Sequence, residues 1–463
     1  MTRWKTFAQG HTFKLLLLAL LVLVLLIPLA MIGGLVNERG RTARDAEAGI
    51  MEAWGSELVA VGPMLIVPGI RTEQVSRISQ EVLVTETVHV PFNMIVMPQN
   101  LDMGADFATE VRHRGIFSVP LFQGGLEFSG TFDLALAAAS LTASEELFLD
   151  RAELVIALSS QKGIRRIERA AWNGGAGAAE LFFHPGNRGL DMASVADFSV
   201  NPRWGRGTLR MGGGIVAQVP DLSFAESSFD IAISMQGGRL VRFLPAGRQT
   251  RVEVSSDWGA PSFQGAFLPV ESDISTEGFR AVWDISYLSR DIPLFWRDDS
   301  TRDHSAALFG VDFFRAIDTY SLNTRATRYA ALFLVIPFLA LFLLEMHTKR
   351  NIHPVQYLLS GIANVVFYLL LLSLSEHMHF FAAYTVAALA VTALMTLYSA
   401  SLLPSRGKCL YVALAMSLSY VLLYAVLNAE SHALLIGSLY AFALVAVMMF
   451  LTRKMGTANA PQV

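Results

Sequence analysis

The stretch YLLSGIANVVFYLLLLSLSEHMHFFAAYTVAALAVTALMTLY (Tyr357–Tyr398) decides how this chain folds. Two apolar runs, Tyr357–Leu374 and Phe380–Tyr398, flank one short polar turn, SEHMHF (Ser375–Phe380). A helix needs about 20 mostly apolar residues to cross a bilayer. Both runs come close to that length, and neither contains Asp, Glu, Lys or Arg. They read as two membrane-spanning helices joined by a tight turn.

Working outward, four more stretches have the same character: Leu15–Val36, Arg328–Leu344, Cys409–Leu427 and Ala433–Leu451. The first exceeds the ~7–15 apolar residues of a signal-peptide core and ends in no clear cleavage site, so it reads as an anchor. Six spans are expected, and the lipid bilayer is the first partner. Of 463 residues 16% are charged, against about 25% in soluble domains. The formal net charge of -3 gives no electrostatic case for nucleic acid binding. The single cysteine, Cys409, excludes an intramolecular disulfide and thiolate-rich metal sites.

Basic residues in short loops orient a membrane protein. Lys349 and Arg350 follow the second span, Arg406 and Lys408 follow the fourth, and Arg453 and Lys454 follow the sixth. The turns SEHMHF and NAESHA (Asn428–Ala433) hold no Lys or Arg. Both termini are therefore expected in the cytoplasm, with residues 37–327 exported. Three regions result: 1–36 as tail and anchor, 37–327 as the exported domain, and 328–463 as a five-helix membrane domain with its tail.

The exported region opens with a polar stretch, residues 37–54, that reads as the first span continuing as helix to about Gly55. Period-two alternation then signals strands. EVLVTETVHV places Val82, Val84, Val88 and Val90 on one face. GLEFSGTFDL does the same with Leu126, Phe128, Phe132 and Leu134, FDIAISM with Phe229, Ile231, Ile233 and Met235, and FRAVWDISY with Phe279, Ala281, Trp283, Ile285 and Tyr287. Gly124-Gly125 and Gly237-Gly238 fit tight turns. The fold class is α+β: an N-terminal transmembrane helix, a large antiparallel β-rich exported domain of sandwich type, and five C-terminal transmembrane helices. FDLALAA (Phe132–Ala138) and FDIAISM (Phe229–Met235) are followed at similar spacing by ALSSQKG and EVSSDWG. If this is a repeat, the domain is two stacked β lobes.

No G-x-S-x-G, H-E-x-x-H or Walker A motif occurs, so no enzyme activity and no cofactor are expected. The pairs Glu145-Glu146 and Asp298-Asp299 read as solvated acids, and RRIER (Arg165–Arg169) as a charged strand edge. The polar turns hold Glu376, His377 and His379 in one and Glu430 and His432 in the other. Carboxylate and imidazole together suit a divalent metal, and these five are weak metal candidates. Polar turn chemistry at the headgroup level is the simpler reading, with docking under the exported domain and proton chemistry as the alternatives. Inside the spans, Gln356, Ser360, Asn364 and Tyr368 share one face, as do Tyr420, Tyr424 and Asn428. Such stripes mark helix–helix contacts or, alternatively, the path of a small-solute carrier or channel.

Several segments carry a family resemblance. IPLAMIGGLVNERGRTARDAEAGIMEAWG (Ile27–Gly55), GPMLIVPG (Gly62–Gly69), SDWGAPSFQGAFLP (Ser256–Pro269), GFRAVWDISYLSRDIP (Gly278–Pro293) and HPVQYLLSGIANVVFYLLLLSLSEH (His353–His377) are similar to segments of the CreD-type inner-membrane proteins of Gram-negative bacteria. Ala363 and Asn364 depart from the apolar run expected there. The resemblance implies a role in envelope integrity, in the response to envelope stress and β-lactams, and in tolerance to a DNA-cleaving colicin. It brings no catalytic residues. The expected partner is an envelope protein or a glycan, bound through the exported domain.

Overall fold

A computed structural model describes residues 11–79, 82–175, 177–186, 197–199, 208–210, 213–298, 305–313, 319–348, 351–402, 406–429 and 433–452. The chain divides into two compact units, Asp45–Ala316 and the remainder.

Helix α1 runs over His11–Trp54, so the first span does continue as polar helix to the glycine. Gly55 and Ser56 then adopt positive φ, at 153° and 62°. Both amides donate to the Met51 carbonyl and close the helix end.

The β unit contains strands β1 (Leu58–Ser79), β2 (Val82–Val96), β3 (Asn100–Arg114), β4 (Phe117–Phe132), β5 (Glu145–Leu147), β6 (Glu153–Leu158), β7 (Ile164–Gly174), β8 (Gly177–Glu180), β9 (His184–Pro185), β10 (Asp197–Ser199), β11 (Thr208–Arg210) and β12 (Gly213–Gln218). It continues with β13 (Ser227–Gly238), β14 (Leu240–Phe243), β15 (Gln249–Ser256), β16 (Ser262–Gly265), β17 (Glu271–Ser275), β18 (Gly278–Ser286), β19 (Phe295–Arg297) and β20 (Phe309–Asp312). β10 pairs only with β11; of the two large sheets, one runs β16-β20-β14-β1-β6-β12-β9, with β2, β5 and β19 attached beside it, and the other runs β17-β18-β15-β3-β4-β13-β7-β8. Their inner faces share one hydrophobic core, which makes the unit a sandwich. Pairing is antiparallel except between β1 and β14 and between β15 and β3.

The alternating residues behave as their pattern predicts. Leu126, Phe128, Phe132, Phe229, Ile231, Ile233, Met235, Phe279, Trp283 and Ile285 are all buried. Val88 and Val90 are only half-buried, because there β2 pairs with β1 along a ribbon whose other residues are mostly exposed. Three expectations change. Gly124-Gly125 lies inside β4, not in a turn. A Cβ on Gly124 would come within 1.8 Å of the Asp106 carbonyl oxygen, so close strand approach demands the glycine. Gly237-Gly238 ends β13, and the turn falls on Arg239, with φ of 63°. The repeat is not structural either: after Phe132 the FDLALAA segment becomes the short helix α2 (Ala135–Ala139), whereas FDIAISM is strand throughout.

The helical unit holds the first part of α1 with α3 (Thr319–Thr348), α4 (Pro354–Ser375), α5 (Phe380–Leu402), α6 (Arg406–Asn428) and α7 (Ala433–Thr452). Helix α3 packs on α4 and α6, α4 on α5, and α5 on α6, closing a four-helix ring. Helix α7 lies against α6, and its Tyr440 stacks on Phe333 of α3 at 4.8 Å. Leu25 of α1 reaches Gly361 of α4, where an added Cβ would stand 2.2 Å from Leu25 Cδ1 and 2.6 Å from the Phe338 ring. The opposite side of α1 exposes Leu16, Leu20, Leu23, Ile27 and Met31. Apolar exposure on this scale marks a lipid-facing surface. Among the described residues, five helices are long and apolar enough to cross a membrane: α1 and α3 to α6.

Candidate functional site

Glu376 caps the C-terminal end of α4. Its side chain turns toward α1, where the Arg39 fork donates two hydrogen bonds of 2.7 Å and the Tyr320 hydroxyl a third of 3.1 Å. The Arg39 bonds hold the Glu376 carboxyl below its usual range, against the opposing effect of burial, and Tyr320 adds to them. The glutamate of the polar turn is therefore an anchor for the first helix. His377 Nδ1 lies 3.0 Å from the Ser373 carbonyl oxygen, and His379 Nδ1 accepts from the Phe381 amide at 3.4 Å; both rings are exposed. Glu430 and His432 lie outside the described residues. Among the described residues no three His, Cys, Asp or Glu side chains gather as a metal site would require.

A second anchor sits toward the other end of the same span. Lys14 donates to Glu345 and, at 3.1 Å, to Asn351 Oδ1. Glu345 is buried and also accepts from the Tyr357 hydroxyl at 2.7 Å. Nothing local marks this cluster in the sequence: Lys14 immediately precedes one apolar run and Glu345 immediately follows another.

The polar stripes separate into two roles. Gln356 completes a capping box with His353, Ser360 Oγ donates to the Gln356 carbonyl, and Asn428 donates to the Tyr424 carbonyl, each bond local to its own helix. Asn364 works between helices. It accepts from the Tyr420 hydroxyl at 2.9 Å and donates to the Phe333 carbonyl. Tyr384 donates to the Tyr420 carbonyl at 2.6 Å. Tyr368 is buried, packed edge-on to Phe367, and its hydroxyl has no partner among the described residues. Tyr424 lies 5.2 Å from the Tyr384 ring. Nothing in the sequence separates Tyr384 from the apolar residues around it.

In the β unit, the two acids of Glu145-Glu146 differ. The Glu145 side chain is 3% exposed and is gripped by Arg297 at 3.0 and 2.8 Å. Burial pulls its carboxyl upward, but hydrogen bonds from Thr142 and Arg297 outweigh that and leave it below 4.5. Asp298 is exposed and accepts from the Asn93 backbone and side-chain nitrogens. RRIER lies on β7 with β13 on one side, and β8 pairs only with Ala171–Gly174, so among the described residues Arg165–Arg169 is a charged strand edge; Arg165 bonds Gln236 at 2.5 Å and faces the Trp54 ring at 5.5 Å.

The outer face of the eight-stranded sheet carries a trough of about 450 Å³ across β15, β3 and β4. Its floor includes Gly104 and Gly125, and its walls are Asp102, Asp106, Glu127, Arg251 and Glu253. Glu253 is held by the Arg280 fork at 2.6 and 2.7 Å, which lowers its pKa. Asp106 accepts from Ser255 Oγ at 2.6 Å.

The family model described as inner membrane protein CreD matches residues 11–457. The chain belongs to the CreD family. The inner membrane protein CreD of Escherichia coli (strain K12) is 28% identical over 436 residues, covering 94% of this chain and 90% of that relative. The CreD match begins where α1 begins and takes in both units. The α1 anchors, the ring and the sandwich therefore all belong to the part of the chain that is CreD-like. This agrees with the resemblance read from the motifs.

Proposed function

We propose that this CreD-family chain is a six-span inner-membrane protein with cytoplasmic termini. Its sandwich lies in the periplasm and binds an envelope component, protein or glycan, without catalysing a reaction. Its role is the one the resemblance implies: support of envelope integrity under stress, including β-lactam stress. Helix α7 supplies the sixth crossing, and the alternation of Lys349, Arg350, Arg406, Lys408, Arg453 and Lys454 with uncharged turns supports the orientation. The observation that carries the binding reading is the open polar trough across β15, β3 and β4. Photo-crosslinking from residues on that face in intact cells tests it. Capture of an envelope component is expected, and the absence of one across all positions counts against the reading.

The carrier reading rests on the buried polar groups of the ring. It is weakened by their geometry, because Asn364, Tyr384 and Tyr420 bond one another and adjacent backbone. Solute flux in proteoliposomes abolished by Asn364→Leu would restore it.

A further inference from the structure

Gly104 and Gly125 lie in the trough. Gly124, on the other face of β4, is fixed by strand approach, but Gly125 is not. Its φ is outside the left-handed region, and a Cβ there would meet nothing within 4 Å. A Cβ on Gly104 would make only ordinary contact with Glu127, at 3.7 Å. Mid-strand glycines weaken a sheet, and where the fold does not require them they mark a close approach by something else. The register sets them side by side: Gly104 pairs with Glu127 on one neighbour and Glu253 on the other, and Gly125 pairs with Asp106. The result is a bare strip of backbone between carboxylates.

Charge selects what lies on that strip. Arg280 occupies Glu253. Asp102 and Glu127 have no hydrogen-bond or ion-pair partner among the described residues, and neither does Arg251 have an ion-pair partner. Carboxylates outnumber guanidiniums, so a cationic guest is favoured. The carboxylates do not converge on one point as metal ligands do. Spread along a flat floor, they suit an ammonium or guanidinium at the end of an aliphatic stem, whose methylenes cover backbone while its donors reach Asp102, Asp106 and Glu127.

We propose that this trough seats a lysine or arginine side chain from an extended, basic segment of a partner protein. This deepens the envelope-binding reading by naming the partner's chemistry. The test uses purified full-length protein in detergent and a fluorescent hexalysine peptide, read by anisotropy. Saturable binding that weakens with salt is expected. Glu127→Gln and Asp102→Asn should each weaken it by about two- to fivefold, and Gly125→Leu should abolish it. Asp273→Asn, on the far strand β17, should leave it unchanged. The space around Gly125 lets the leucine variant fold, and its melting curve checks this; Glu127→Lys repeats the test by charge reversal. Peptide binding that survives both Gly125→Leu and Glu127→Lys overturns the proposal. So does displacement by magnesium or spermidine at concentrations as low as unlabelled peptide requires, which would make this a free-cation site. The binding is read without regard to membrane orientation. Failed crosslinking in cells with intact hexalysine binding would therefore reject the cellular reading alone.

Discussion

Glu145 and Arg290 show how buried charge is handled in the sandwich. Glu145 is paired and its folded pKa is depressed. Such a group contributes stability above its unfolded pKa, and that contribution is lost as pH falls through the folded value. Acid unfolding of the whole protein below about pH 4.5 should therefore be shallower in Glu145→Gln than in wild type, as followed by tryptophan fluorescence. An unchanged acid slope would contradict the assignment. Arg290 is buried without a carboxylate partner among the described residues. It donates to the carbonyls of Ile292, Ala246 and Gly247 at 2.8–2.9 Å, and burial lowers its pKa to about 10. Arg290→Met strands those carbonyls and should cost about 3 kcal/mol. Amide exchange over Ala246–Gln249 should accelerate first, since that turn is what the guanidinium holds. Neither role was legible beforehand: Glu145 reads as one of two solvated acids, and only the long-range pairing with Arg297 separates it from Glu146.

At the scale of elements, period was readable and partnership was not. Alternation located the buried faces of β4, β13 and β18 because a strand buried on one side must repeat every two residues. The same rule misassigned Gly124-Gly125, because a turn and a close strand approach both call for glycine. Apolar runs found the helices, but nothing local says that Arg39 and Glu376 meet across more than three hundred residues. A double-mutant cycle with Arg39→Gln and Glu376→Gln, on the protein in detergent, should return a coupling of about 1–2 kcal/mol. The same cycle on Lys14 and Glu345 should also be non-additive, because both pairs grip α1. Additive effects at both sites would mean that apolar packing around Gly361 alone retains the first helix.

For the molecule as a whole, the proposed orientation rests on the charge of the loops. Arg39 follows the first span and, by the loop-charge rule alone, argues for a cytoplasmic position. Its pairing with Glu376 neutralises that one charge, while Arg41 and Arg44 still follow the span. The weight then falls on Lys349, Arg350, Arg406, Lys408, Arg453 and Lys454, all in loops that alternate with turns lacking Lys and Arg. The native Cys409 is buried and gives little background to thiol labelling. A cysteine at Ser272, on the exposed strand β17, should react with a membrane-impermeant maleimide in intact spheroplasts. One at Thr457 should react only after permeabilisation. Arg39→Gln and Glu376→Gln should keep this pattern when combined, whereas Glu376→Gln alone, which restores a free Arg39 beside the first span, should lower the labelled fraction at Ser272→Cys. If Thr457→Cys labels in intact spheroplasts and Ser272→Cys does not, the sandwich faces the cytoplasm, and a periplasmic partner for the trough is ruled out with it.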